Sequence, residues 1–242
     1  MPVETIPIGD GKTLDIEAWT PEMNERFDKD FERLIAFYTE YSAPGGANII
    51  RGIFESAKEA FRIIGQACKN DITPSPGAFN GVRAQTGYGM TTIRPDYLVP
   101  TAQGRTFDTS VSGLTANSWY GLWHNGTIGA SYDATPLYLR KELGLGILGV
   151  MELSPSPIVE ELQLEMNDVP NPVYNLVPAI HIGLRVARFP TVEYFKPANR
   201  YRSQAKFAAA SGTTYLVPLG IAFVTAEWLR TTQPTQPSTT AP

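Results

Sequence analysis

Residues 199–207, NRYRSQAKF, decide how this chain is read. Tyr201, Ser203, Ala205 and Phe207 fall on one side of an extended backbone, and Arg200, Arg202, Gln204 and Lys206 fall on the other. A period of two marks a strand with one face buried and one face wet. The same alternation runs through EELQLEM (160–166), with Leu162, Leu164 and Met166 inward and Glu161, Gln163 and Glu165 outward. Ile180, Ile182, Leu184 and Val186 repeat it over 179–188. YLVPLGIAFV (215–224) is almost continuously apolar, as a strand buried on both faces would be, and Pro218 then requires an edge or a bulge. Further strands are expected near 88–94, 105–112, 117–123, 146–153 and 191–195. With 21 Gly and 20 Pro in 242 residues, turns are frequent. The expected fold is mainly β with an N-terminal helical hairpin, an antiparallel β-sandwich of jelly-roll type.

Upstream of Thr73 the period changes. Thr20 can cap a helix, Pro21 suits its first position, and Glu22 suits the positive end of the dipole. Met23, Phe27, Phe31, Leu34, Ile35 and Tyr38 follow at helical spacing, and SAPGG (42–46) ends the run. A second helix is expected over 48–69, striped by Ile50, Ile53, Phe54, Ala57, Phe61, Ile64 and Cys68. The expected division is an arm at 1–19, a helical hairpin at 20–72, a β-sandwich at 73–230 and a tail at 231–242, TTQPTQPSTTAP closing the chain without an apolar anchor.

Net charge is −4, so no overall basicity advertises nucleic acid. The balance is uneven. Residues 1–40 hold ten acids and four bases, whereas 185–206 hold six bases (Arg185, Arg188, Lys196, Arg200, Arg202 and Lys206) and one acid, Glu193. Those six are the candidate residues for assembly or for facing nucleic acid, with an acidic N-terminal region of another copy as one partner. Cys68 is the single cysteine, which rules out a disulfide within the chain and reads as a small buried hydrophobe. MPVETIPIGDGK has neither the basic nor the apolar region of a signal peptide, and no apolar run reaches the roughly 18 residues of a membrane span.

Catalytic chemistry finds few carriers. The two histidines, His124 and His181, are far apart, and no G-x-S-x-G sequence supplies a nucleophile elbow. One Cys and two His cannot make a zinc site, the acids do not follow a calcium loop, and GLGILG (144–149) lacks a strand–turn–helix context. No catalytic residue, metal or cofactor is expected. The most suggestive cluster is WYGLWHNGT (119–127), where Trp119, Tyr120, Trp123 and His124 could stack on a glycan or line an interface. The alternative is a plain hairpin turning at Asn125–Gly126, with the aromatics packed inward or against a neighbour.

Residues 154–230 resemble the β-sandwich half of viral jelly-roll capsid proteins. The likeness rests on a strand ending in a short Asn/Asp turn, a Pro-flanked YFKP (194–197) and a final YLVPLGIAF strand (215–223). It carries over no functional residue. It implies a virion structural subunit assembled in the host cytoplasm, not an enzyme. Its partners would be copies of itself and other virion proteins, with nucleic acid as a non-specific contact and no membrane. A lectin-like carbohydrate-binding module is the alternative.

Overall fold

A computed structural model of the chain describes residues 3–7, 13–17, 21–40, 42, 46–71, 88–98, 107–123, 127–128, 137–167, 169–181 and 183–225. The N-terminal arm holds an antiparallel hairpin, β1 (Val3–Pro7) against β2 (Thr13–Glu17). Three helices follow, α1 (Pro21–Glu40), α2 (Gly46–Ser56) and α3 (Lys58–Asp71). The expected second helix is thus broken at Ala57. There the Ser56 hydroxyl donates back to the Ile53 carbonyl (2.7 Å), and the Ala57 amide turns to Phe54 (3.0 Å), tightening the last turn of α2.

Two sheets form the rest. The first is ordered β10 (Val169–Pro170), β9 (Val159–Met166), β13 (Arg200–Phe207), β5 (Ser118–Gly121). Two short strands join its flanks, β11 (Tyr174–Asn175) on β9 and β7 (Leu137–Tyr138) on β13. The second is ordered β12 (Val186–Phe195), β8 (Leu143–Glu152), β14 (Gly212–Thr225), β4 (Asp108–Val111), β6 (Thr127–Ile128), with β3 (Tyr88–Thr91) also on β14. All described pairings are antiparallel except β4 with β6. A short helix, α4 (Pro95–Leu98), follows β3.

Two cores result. Leu162, Leu164, Ala205 and Phe207 of the first sheet meet Leu145, Ile147, Leu216 and Val224 of the second, forming the sandwich core. On its other face the second sheet packs Leu148, Met151, Leu219, Ile221 and Phe223 against Phe31, Phe54 and Phe61 of the helices. Strands β8 and β14 are therefore buried on both faces, which is why their sequences are nearly all apolar. Glycines let the helices approach: a Cβ on Gly146 would lie 3.0 Å from the Phe61 ring, and one on Gly144 would overlap the Cys68 sulfur. This accounts for GLGILG without any phosphate.

Pro218 sits in the middle of β14, not on an edge strand. Residues 212–215 pair with β4 and 222–225 with β3, leaving a gap between them. Side chains fill the gap: Trp123 Nε1 donates to the Leu216 carbonyl (2.8 Å), and the Tyr38 hydroxyl donates to that of Gly220 (2.9 Å). A residue without an amide proton is tolerated there. The expected bulge is present, with the β14–β8 register shifting between Leu219 and Gly220.

Two local expectations are corrected. Residues 177–181 form a helix, α5 (Val177–His181), not the start of a strand. Asn175 Oδ1 accepts the Val177 amide (3.0 Å) and Pro178 lies in the first turn, so cap and proline override the alternation. The strand begins at Val186 and continues through 191–195 as one, with a bulge between Arg188 and Glu193 that contains Pro190 and sends Phe189 inward onto Tyr174 (rings 3.8 Å apart). The expected turn at Asn125–Gly126 lies outside the described residues, but the strands on either side of it do not pair with each other: β5 pairs with β13, whereas β6 pairs with β4 in the other sheet. Leu122 and Trp123 lie in the core.

Candidate interface on the outer sheet

The opening strand, β13, alternates as its sequence demands. Tyr201, Ser203, Ala205 and Phe207 are buried, and the residues between them are partly exposed. Its outward bases do not stand alone. Antiparallel register places Arg202 opposite Glu165, Gln204 opposite Gln163 and Lys206 opposite Glu161 on β9. Arg202 lies 3.8 Å from Glu165, and Lys206 lies 3.5 Å from Glu161 and 3.8 Å from Glu160. The register slips at Lys206–Phe207, so that Phe207 meets Val159 and Glu160 is the extra residue beside Glu161. One lysine thereby faces two carboxylates.

These side chains are largely covered: Arg202 and Lys206 are only 25% and 26% exposed, and Glu165 16%. The outer face is nearly charge-neutral, a cross-strand ladder of acids on β9 and bases on β13. Two aromatics flank the ladder on its far side. Trp119 of β5 stands level with Lys206, and Tyr138 of β7, 66% exposed, stands level with Arg200. Sequence inspection found Trp119 but missed Tyr138, because its pairing to β13 spans more than sixty residues of chain.

The other candidates disperse. Arg185 adopts a left-handed backbone (φ 53°) and donates to the Ser154 carbonyl (2.7 Å). Arg188 is exposed on β12, at the edge of the second sheet, and Lys196 is exposed in the turn after it. The six bases therefore form no single patch. Trp123 is 4% exposed and belongs to the core, edge-on to Phe107, so it is not a surface aromatic beside Trp119. Tyr120 is half-buried, its ring against Phe207 and its hydroxyl accepting the Thr115 amide (2.9 Å). His124 lies outside the described residues, and of His181 only the backbone, at the end of α5, is described.

The acids of the N-terminal region also find partners within the chain. Asp28 meets Lys58 (2.9 Å) and Arg62 (3.6 Å), and Glu32 meets Arg51 (3.1 Å). Cys68 is fully buried. Where the two sheets meet beside β12, Glu193 accepts hydrogen bonds from the Tyr174 and Thr191 hydroxyls and from the Asn171 amide. Burial, helped by that carboxylate, raises the Tyr174 hydroxyl above its ordinary range. Among the described residues no group of three or more His, Cys, Asp or Glu could hold a metal ion, and no helix is long and apolar enough to cross a membrane. Comparison with known proteins finds no family model, no curated protein and no solved structure that matches this chain.

Proposed function

We propose that this chain is a structural subunit that assembles with copies of itself, in the manner of jelly-roll virion subunits. The observation that carries the proposal is the contrast between its two sheets. The second is sealed by helices, whereas the first presents a charge-balanced face edged by Trp119 and Tyr138. Aromatics beside arginine are the composition of subunit contacts. Strand order supports the jelly-roll part of the proposal, since β8, β9, β12, β13 and β14 alternate between the sheets along the chain. With Arg202 and Lys206 neutralised by β9, the ladder has little charge to offer nucleic acid, and we assign it to contacts between subunits.

Electron microscopy of the concentrated protein tests this. Rings or shells of uniform size are expected, and small separate particles at every concentration would contradict it. Trp119 on a polar sheet face also favours a second reading, a glycan platform. Saturable quenching of Trp119 fluorescence by soluble oligosaccharides, with the chain monomeric throughout, would select it.

A further inference from the structure

We infer that the β9–β13 face pairs with the same face of a second copy, about a twofold axis running parallel to these strands and midway between them. The inference rests on the self-assembly proposed above and specifies one of its contacts. It follows from the order of charges. Acids occupy β9 and bases occupy β13, and two of the bases stand level with acids: Arg202 with Glu165, Lys206 with Glu161. Place a second copy face to face and rotate it by half a turn about that axis. Its β9 then lies over the first copy's β13, and positions along the strands are unchanged. Arg202 and Lys206 each receive a second acid from above, and Glu165 and Glu161 each a second base, while Gln204 meets Gln163. Rotation about an axis perpendicular to the strands would instead leave β13 over β13, base against base. The pattern is self-complementary in the first arrangement alone, and a twofold contact closes upon itself.

The flanks agree. In the same rotation β5 and β7 of one copy overlie the β11 and β10 side of the other. Trp119 is level with Lys206, and Asn175 of β11 with Glu161, so Trp119 settles over the exposed Asn175 of the second copy. Tyr138 comes down beside the exposed Pro170, which shares the outer face with Glu165. Each copy thus covers Trp119 and Tyr138 of the other, one at each end of the ladder.

Mixing tests it. Two variants are made, R202E/K206E with acids at both ladder levels and E161K/E165R with bases at both, along with the fourfold exchange E161K/E165R/R202E/K206E. Mass by analytical ultracentrifugation is compared with wild type, with circular dichroism to confirm folding. Each half-reversed chain should pair about a hundredfold more weakly than wild type or worse, because like charges face each other. An equal mixture of the two should form one-to-one pairs, and the fourfold exchange should pair as wild type does. If a half-reversed chain does not fold, W119S/Y138S, which changes no ladder charge, should weaken pairing in its place. Half-reversed or W119S/Y138S chains that keep the wild-type mass, or a mixture that stays unpaired, would overturn this contact and leave self-assembly through another surface standing. A wild-type chain that is monomeric at every concentration would overturn both.

Discussion

Removing one oxygen atom, in Tyr38→Phe, should cost this fold more than its size suggests. The Tyr38 hydroxyl is fully buried where α1 crosses the second sheet. It donates to the Gly220 carbonyl at 2.9 Å and accepts the Ile93 amide at 3.2 Å, closing the gap in β14 between β3 and β4. Phenylalanine keeps the ring and its stacking on Phe54, 5.3 Å between centroids. What is lost is a partner for two buried backbone groups. Each unsatisfied group costs about 1–3 kcal/mol, so the expected loss is about 2–4 kcal/mol of a total of about 5–15. Urea denaturation followed by circular dichroism should show a midpoint lowered by about 1 M with an unchanged slope. Tyr138→Phe, on the exposed surface, is the control and should leave the midpoint in place. A Tyr38→Phe midpoint matching wild type would refute the idea that this hydroxyl completes β14.

Three further outcomes are expected. Gly144→Ala should lower stability by about 1–3 kcal/mol, because its methyl overlaps the Cys68 sulfur, and Cys68→Ala in the same chain should recover most of the loss in a thermal melt. Trp119→Ala should leave stability within about 0.5 kcal/mol and weaken self-association, whereas Trp123→Ala should cost about 3–5 kcal/mol, since the first ring is exposed and the second lies in the core. Burial raises the hydroxyls of Tyr38 and Tyr201 above the ordinary 10.0, with Arg140 opposing the rise at Tyr201. Raised values mean that the folded chain holds protons the unfolded chain releases. Their contribution is fully present below pH 10.0 and lost above it, by about 1.4 kcal/mol per pH unit for each tyrosine, so urea midpoints should hold to about pH 9 and then drop. Midpoints unchanged to about pH 11 would contradict this.

The alternation of β9 and β13 was legible because each strand has one wet face and one dry face, so period alone reveals it. The apolar run of β14 announced burial on both sides, and the stripe of α1 announced the helical layer. Pairing was not legible. The acids that neutralise β13 lie some forty residues away in β9, and nothing local to Arg202 or Lys206 names them. A basic strand and an acidic strand read separately suggest two charged surfaces, but brought side by side they make one neutral face. Local chemistry also won over period twice. Asn175 and Pro178 start a helix where Ile180 and Ile182 continue an alternation, and the Ser56 hydroxyl interrupts a stripe that is otherwise continuous. The sequence left Trp123 either beside Trp119 on the surface or packed inward. Its left-handed backbone (φ 55°), which turns the ring into the core, has no signature in the residue itself.

Self-assembly is tested most directly by the mass of the purified, tag-free chain, measured by light scattering over a range of protein and salt concentrations with the 260/280 nm absorbance ratio recorded. We expect a discrete multiple of the single-chain mass that persists on dilution, weakens as salt screens the β9–β13 ladder, and shows the absorbance ratio of protein alone. The mass of a single chain at every concentration would contradict a structural subunit.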